Sequence, residues 1–253
     1  MQRRDAEMTQ SSLSQPPSLA SLKSASPVSL FLDFDGTLIE IASGPDAIAV
    51  PENMSARLKS LADQHDGRVA IVSGRDLNNL EQHLGPLAIA RAGSHGAERK
   101  SADGTPLGEM PKPLAADDTA QLREIAAEHG ALFENKRYGA ALHYRSVPAA
   151  GPDIEAAAAS IAKQSGLTMK RGKCVIELVR PGANKASAVH AFMETPIFAG
   201  STPIFIGDDV TDEDGFVAVQ KYGGLAIAVG ERPSNNANFK LDNVKDVHAW
   251  LNL

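Results

Sequence analysis

Short apolar runs alternate with stretches of helical pattern along most of the chain. Each run leads into Gly, Asp or Ser, and the stretch that follows repeats its apolar residues at helical spacing. This alternation predicts an α/β fold, a doubly wound sheet of mostly parallel strands that are buried on both faces. We expect strands over residues 29–34, 69–73, 87–92, 203–207 and 225–229.

The helices between these strands have recognisable starts and ends. Pro51 suits the first turn of a helix whose pattern stops near Gly67, and a second helix runs from Asp76 to Gly85. Further helices are expected over residues 184 or 185–193, 211–219 and 247–251. Residues 1–28 are rich in Ser, Gln and Pro and lack the apolar block of a signal peptide or membrane span, so they predict a disordered leader.

The order of elements changes between residues 112 and 180. The pattern there is helix, two strands, helix, two strands, which does not extend a doubly wound sheet by simple alternation. It predicts an inserted α+β cap domain over 112–180, with the core formed by 29–111 and 181–253. The expected cap elements are helices 117–129 and 153–164 and strands 131–135, 139–145, 167–171 and 173–179.

Charge and cysteine content narrow the possible functions. The net charge is −6 and no basic stripe is visible. This argues against nucleic-acid or membrane-surface partners, because their phosphate groups attract Lys and Arg. The single cysteine, Cys174, cannot form an intramolecular disulfide, which favours a reducing compartment. We expect a cytoplasmic protein, a monomer, that acts on a small molecule.

Two acidic residues, Asp33 and Asp35, lie where the first predicted strand ends. Ligands bind at the carboxyl ends of strands in open parallel sheets, so this is the expected place for a functional site. Two carboxylates in a dry site repel each other and are poorly solvated. The pair therefore predicts a bound cation or a tuned proton.

A second acidic cluster, residues 208–214, follows the strand at 203–207. Its oxygens suit Mg²⁺, with Ca²⁺, Mn²⁺ and Co²⁺ as competitors, and its spacing does not fit an EF-hand loop. Alternatively, Asp212 to Asp214 decorate a helix N-terminus capped by Thr211. That alternative leaves Asp208 and Asp209 unexplained.

Further polar residues stand at sheet-end positions. Ser73, Gly74 and Arg75 follow the second strand and could hold an anion, and Lys185 opens the helix after the insertion. Taken singly, Ser73 could be a turn residue and Lys185 a surface cation. Their joint occurrence with the acidic residues favours a phosphate site.

The ordered residues resemble the haloacid-dehalogenase-like phosphatases, whose pattern is Asp-x-Asp-x-Thr, then Ser or Thr, then Lys, then a late acidic pair. The matching residues are Asp33, Asp35, Thr37, Ser73, Lys185, Asp208 and Asp212. The segments 73–75, 93–96, 172–177 and 207–213 are further similar to the trehalose-6-phosphate phosphatase family. The resemblance covers nearly all of 29–253.

This resemblance implies Mg²⁺-dependent hydrolysis of trehalose 6-phosphate through an aspartyl-phosphate. Asp33 would be the nucleophile and Asp35 the general acid and base. Mg²⁺ would be held by the Asp33 carboxylate, the Asp35 carbonyl oxygen and Asp208. The implied catalytic set is completed by Ser73, Lys185 and Asp212, and the implied substrate-binding residues are Arg75, His95, Lys173, Glu177 and Asp209.

Alternation along the predicted strand 173–179 separates two faces. Lys173 and Glu177 share one face that could meet sugar hydroxyls, while Cys174 falls on the apolar face and is expected in the core. On strand 139–145, His143 and Arg145 share a face in the same way. For these two residues we prefer a cross-strand salt bridge on a solvated face.

Other functions stay open. The same chemistry could act on another sugar phosphate, such as sucrose phosphate or a mannose-type substrate. A receiver-like module, phosphorylated on one Asp without turnover, would need neither Asp35 nor a cap. An inactive partner subunit would not need the full set of motif residues.

Overall fold

The computed structural model describes residues 13–42, 48–109 and 112–253, and within them two separate sheets. The larger sheet has seven strands in the order β11-β10-β9-β1-β2-β3-β4, all parallel except β4. Its strands are β1 Val28–Leu32, β2 Val69–Val72, β3 Ala90–Gly93, β4 Glu98–Lys100, β9 Thr202–Gly207, β10 Leu225–Val229 and β11 Phe239–Leu241. The mostly parallel α/β core predicted from the sequence is confirmed.

Helices cover both faces of this sheet. They are α1 Leu19–Ala25, α2 Met54–Gln64, α3 Leu77–Leu84, α6 Lys185–Met193, α7 Glu213–Lys221 and α8 Val244–Leu251. On β1, Leu30 and Leu32 pack in the apolar cluster that includes α2, α3 and α8, while Phe31 packs in the cluster of α6 and α7. Because both faces are buried, the strands read as continuous apolar runs rather than as alternating ones.

The smaller sheet is antiparallel, with the strand order β5-β6-β8-β7. It comprises β5 Leu132–Lys136, β6 Gly139–His143, β7 Thr168–Gly172 and β8 Val175–Val179, with helices α4 Ala116–His129 and α5 Gly151–Ser165. Leu142, Ile176 and Leu178 on one face pack against Leu122 of α4 and Ile154 of α5. The other face is left for polar residues. We call this unit the cap, and its exact boundaries at 112 and 180 stay a prediction.

The chain before the first strand differs from the expected disordered leader. Residues 1–12 lie outside the described residues, but Leu19–Ala25 forms α1 and β1 already begins at Val28. The apolar side chain of Leu19 is buried in the core cluster, and the indole of Trp250 donates a hydrogen bond of 2.9 Å to the Pro17 carbonyl. These contacts order the segment despite its polar composition.

Two edge strands, β4 and β11, were absent from the predicted elements. Each has three residues, too few for a period-two pattern to show in the sequence. In the described ranges, no helix is long and apolar enough to cross a bilayer.

Candidate active site

The predicted acidic and basic residues meet where strands β1, β2 and β9 end. Asp33 follows β1, Ser73 follows β2, Asp208 follows β9 and Lys185 is the first residue of α6. The ammonium of Lys185 donates hydrogen bonds of 2.6 Å to Oδ1 of Asp33 and 2.6 Å to Oδ1 of Asp212. One cation thus joins the two acidic segments of the sequence.

Burial makes this triad strongly coupled. The side chains of Lys185, Asp33 and Asp212 are 3%, 6% and 0% exposed. Burial and then the Asp212 charge raise the pKa of Asp33 well above its usual value, although Lys185 opposes them. Burial alone would lower the pKa of Lys185, but Asp212 and Asp33 raise it above its ordinary value. The lysine therefore stays charged between the carboxylates.

The carboxylates offer a place for a cation. Asp33, Asp208 and Asp212 each supply an oxygen, and these oxygens lie within 4.8 Å of one another. Oδ1 of Asp208 is buried and has no hydrogen-bond partner among the residues that the structure describes. Burial, followed by the Asp212 charge, raises the Asp208 pKa to about 7. An unpartnered acceptor among hard oxygens fits a hard divalent cation such as Mg²⁺.

Two glycines, Gly36 and Gly207, make room for this cluster. A Cβ on Gly36, whose φ is +78°, would lie 2.2 Å from Oδ2 of Asp208. A Cβ on Gly207 would lie 2.2 Å from Cγ of Asp212. Glycine at 36 lets the segment after β1 approach Asp208, and glycine at 207 lets Asp212 lie against the end of β9.

The side chain of Asp35 points to Arg75 rather than into the acidic cluster. Nε and Nη2 of Arg75 donate hydrogen bonds of 2.6 and 2.7 Å to the two Asp35 oxygens. Nη1 of Arg75 donates to Oδ1 of Asn79, and its main-chain N–H donates to Oγ of Ser73 at 3.1 Å. The expected metal ligand Asp35 could thus contribute only its main-chain carbonyl here, and Arg75, expected to bind substrate, holds Asp35.

The loop at 94–96 places His95 beside the site. Both Ser94 and His95 have positive φ, +50° and +56°, and the His95 amide donates to the Ser73 carbonyl at 2.9 Å. A Cβ on Gly74 would lie 2.8 Å from the His95 ring, so the Ser-Gly-Arg turn and the histidine are packed together. Burial lowers the pKa of His95 despite the hydrogen bond to the Glu177 carboxylate, which raises it. The imidazole is thus held neutral at neutral pH.

Glu177 links the cap to the core. Its Oε2 lies 3.1 Å from Nε2 of His95, and its Oε1 accepts a hydrogen bond of 3.0 Å from Lys136. Burial would raise the Glu177 pKa, but the Lys136 charge and the hydrogen bond to His95 lower it far below its usual value. Glu177 is therefore an ionised carboxylate in the cleft between cap and core.

Lys136 was not among the residues expected from the sequence. Register explains its place, because Lys136 is opposite Gly139, Gly139 is opposite Val179, and Val179 shares a sheet face with Glu177. Had the predicted strand 131–135 been extended by one residue, its alternation would have placed Lys136 on the same face as Glu134.

The expected position of Lys173 is wrong. Lys173 and Cys174 form the turn between β7 and β8 rather than the start of a strand. Lys173 is exposed, and Cys174 has φ +60° and is half-buried rather than in the apolar core. The alternation of faces holds only within a strand. Because β8 begins at Val175, the face of Lys173 cannot be inferred from that of Glu177.

His143 pairs across strands, as preferred from the sequence. Its Nε2 lies 2.8 Å from Oε2 of Glu134 on β5. Its expected companion Arg145 lies beyond the end of β6 and is exposed.

The second acidic segment begins with a capping turn. Asp209 is the N-cap of the 3-10 turn Val210–Asp212 and Asp212 is the N-cap of α7, so the expected cap Thr211 is neither. The Asp209 carboxylate accepts a hydrogen bond of 2.7 Å from the Val210 amide. The Asp209 amide donates to Oδ2 of Asp212 at 2.9 Å, so this turn holds Asp212 against Lys185. The Asp209 carboxylate, expected to bind substrate, is used here as a cap.

Known proteins resemble the chain over most of its length. The trehalose-phosphatase family model matches residues 31–245. The trehalose-6-phosphate phosphatase of Escherichia coli (strain K12) is 38% identical over 226 residues, which cover 88% of this chain and 85% of that protein. The chain belongs to the trehalose-phosphatase family. A probable trehalose-phosphate phosphatase of Sinorhizobium fredii is 39% identical over 211 residues, covering 79% and 77% of the two chains.

Solved structures of low sequence identity share the fold. The C-terminal domain of the Candida albicans trehalose-6-phosphate phosphatase has a TM-score of 0.78 at 22% identity and covers 95% of this chain and 98% of its own. A phosphatase of the HAD superfamily from Bacteroides thetaiotaomicron has a TM-score of 0.60 at 20% identity, covering 88% and 92%. The chain thus has the HAD fold, and its family consists of phosphoric monoester hydrolases.

Proposed function

We propose that this chain hydrolyses trehalose 6-phosphate to trehalose and phosphate through a phosphorylated Asp33, with Mg²⁺ as cofactor. The observation that carries this proposal is the position of Glu177, a cap carboxylate held 3.1 Å from His95 of the core. It brings sugar-binding chemistry next to the buried Asp33 and Lys185. The site thus combines a phosphoryl-transfer centre with a polar cap, and the sugar named by the relatives fits that combination.

Asp33 supplies the nucleophile. Its carboxylate oxygen forms a bond to phosphorus while the bond from phosphorus to the sugar oxygen breaks, giving an aspartyl-phosphate and the free sugar. Lys185 and the hydroxyl of Ser73 hold the phosphoryl oxygens. Water then attacks phosphorus, which releases phosphate and restores Asp33.

Asp35 moves the protons in both steps. It gives a proton to the leaving sugar oxygen and takes one from the attacking water. The two hydrogen bonds from Arg75 fix the carboxylate two residues after the nucleophile. This geometry makes Arg75 a positioning residue for the acid and base.

Asp33, Asp208 and the main-chain carbonyl of Asp35 are the groups that would hold Mg²⁺. The ion supplies electrostatic stabilisation of the phosphoryl oxygens, whose charge would otherwise repel Asp33. Asp212 keeps Lys185 in place through its 2.6 Å hydrogen bond.

The cap selects the sugar. Glu177 and Lys136 present a carboxylate and an ammonium toward the core, and both suit hydrogen bonds to hydroxyl groups. A closed cap also excludes water from the phosphoryl group.

The test is phosphate release from a panel of sugar phosphates, with Mg²⁺ and with EDTA, for the wild type and Asp33→Asn. We expect a strong, metal-dependent preference for trehalose 6-phosphate that is lost in Asp33→Asn. Comparable rates on many sugar phosphates would contradict the substrate. Stable phosphorylation of Asp33 without release of phosphate would instead support a receiver-like module.

A further inference from the structure

One lysine of the cap, Lys170, lies on the sheet face that meets the core. On β7, Lys170 is directly opposite Glu177 of β8, and Glu177 is directly opposite Ala141 of β6. Cross-strand partners point to the same side of a sheet, so Lys170 faces the core as Glu177 does.

Lys170 has no partner of its own among the described residues. It forms no hydrogen bond or ion pair there, although it is half-buried. The carboxylate beside it is already engaged, because the two oxygens of Glu177 contact His95 and Lys136. A half-buried ammonium that forms no direct ion pair is unfavourable.

The charged groups around Lys170 come from both domains. Glu177 and Lys136 face it from the cap, and Lys185 and Asp214 act on it from the core. Burial lowers its pKa to about 8, and the two carboxylates compensate only in part. The positive charge of Lys170 also contributes to the lowered pKa of His95. Lys170 therefore lies beside Glu177 on the cap face that meets His95 of the core, with its charge incompletely balanced.

We propose that Lys170 is a substrate-binding residue of the cap whose ammonium pairs with the phosphoryl group of the bound sugar phosphate. This inference rests on the proposed function and deepens it. A phosphate dianion supplies the missing counter-charge, whereas a neutral sugar hydroxyl does not. Lys170 then distinguishes the phosphorylated substrate from the free sugar, and the cap closes more firmly on the substrate than on the released sugar.

The decisive comparison is Lys170→Met against Lys163→Met, which removes an exposed lysine from helix α5 of the same cap. For Lys170→Met we expect KM for trehalose 6-phosphate to rise about ten- to hundredfold, as for a lost charge-assisted hydrogen bond, with kcat changed less. Lys163→Met should match the wild type. Lys170→Arg, which keeps the charge, should recover most of the affinity.

Inhibition by inorganic phosphate and by trehalose shows whether Lys170 contacts the phosphoryl group or the sugar. Inorganic phosphate, in the presence of Mg²⁺, should bind Lys170→Met about tenfold more weakly, while trehalose inhibits both proteins equally. Weaker binding of trehalose with unchanged phosphate binding would overturn the proposal, since Lys170 would then contact the sugar. Unchanged binding of both would overturn it as well.

The pH dependence gives an independent readout. The wild-type KM should rise above about pH 8, where unbound Lys170 loses its proton, and this rise should be absent in Lys170→Arg. An identical rise in both proteins would contradict the inference. If the wild type prefers another sugar phosphate, the proposed substrate fails, but the same comparison with that compound and its free sugar still tests Lys170. If the wild type hydrolyses no sugar phosphate, the binding of inorganic phosphate to the wild type and to Lys170→Met, measured by calorimetry, still tests the role of Lys170.

Discussion

The ammonium of Lys185 lies 2.6 Å from Oδ1 of Asp33, and both side chains are almost fully buried. Lysine at this position balances two buried carboxylates, Asp33 and Asp212. The same cation holds phosphoryl oxygens in the proposed reaction. Stability and catalysis therefore depend on one side chain.

Replacing Lys185 with Met should damage both properties. We expect hydrolysis to fall by at least about 10³-fold, because phosphoryl charge and Asp33 lose their fixed cation. Unfolding should become easier by about 3–5 kcal/mol, since two buried carboxylates are left unpaired. Urea denaturation and phosphate release measure the two effects. Lys221→Met, at the exposed end of α7, is the control and should change neither. Unchanged urea denaturation of the Lys185 variant would contradict the structural role.

Adding one methyl group at Gly36 should weaken the cation site. The new Cβ would lie 2.2 Å from Oδ2 of Asp208, so the acidic segment must move. Gly200→Ala is the matched control, because its φ of +74° resembles the +78° of Gly36 and no atom of the described ranges lies within 4 Å of the added Cβ. Each variant should lose about 1–2 kcal/mol of stability from left-handed backbone strain. Only Gly36→Ala should weaken Mn²⁺ binding, measured by electron paramagnetic resonance, by tenfold or more.

An equal loss of Mn²⁺ affinity in the two glycine variants would show that strain, not the approach to Asp208, controls the site. Binding by Gly36→Ala at the wild-type level would show that the Asp208 segment can shift without consequence.

The core fold could be predicted because its strands are buried on both faces. The runs at 203–207 and 225–229 are apolar throughout, and a strand of this kind is visible without its neighbours. The three-residue strand Glu98–Lys100 carries only polar and charged residues, and its pairing with β3 is decided by the chain's return after His95. Such edge pairing depends on tertiary contacts that no local pattern records.

In the candidate site too, some residues could be placed from the sequence and others could not. The core residues Asp33 and Lys185 could be placed together, because parallel strand ends meet at one edge of a sheet. In the cap, which lysine faces Glu177 depends on where a hairpin turns. The turn places Lys173 and Cys174 outside the expected strand, and the register brings Lys136 and Lys170 to the face of Glu177.

Neutralising Glu177 should affect sugar substrates selectively. In Glu177→Gln we expect kcat/KM for trehalose 6-phosphate to fall about a hundredfold, because charge-assisted hydrogen bonds to hydroxyl groups are lost and Lys136 remains buried without its anion. Hydrolysis of p-nitrophenyl phosphate, which has no sugar, should change less than about twofold. Glu155→Gln, on the outer helix of the cap, is the control. Equal losses on both substrates would place Glu177 in the phosphoryl chemistry and contradict sugar recognition.

Glu98 should make stability depend on pH in an unusual direction. Its side chain is 1% exposed, and neither oxygen accepts a hydrogen bond from the described part of the chain, where Arg137 lies at 3.7 Å and Lys100 at 3.9 Å. Burial raises the pKa of Glu98, and the two cations only partly oppose it. The folded protein therefore binds the Glu98 proton more tightly than the unfolded chain does. Stability falls as pH rises from the unfolded pKa through the folded one.

Glu98→Gln removes this titration. The variant should have a higher Tm than the wild type at pH 8, and the difference should shrink as the pH falls toward the ordinary glutamate pKa of 4.5, because the raised pKa favours the protonated carboxyl in the folded protein. For a chain of this length, a change of about 1 kcal/mol in the free energy of unfolding shifts Tm by about 2–4 °C. Glu128→Gln, an exposed residue of α4, should follow the wild type at both pH values. A lower Tm for Glu98→Gln at pH 8 would show that attraction to Arg137 of the cap outweighs the burial of the carboxylate, and Glu98 would then be a contact that holds the cap closed.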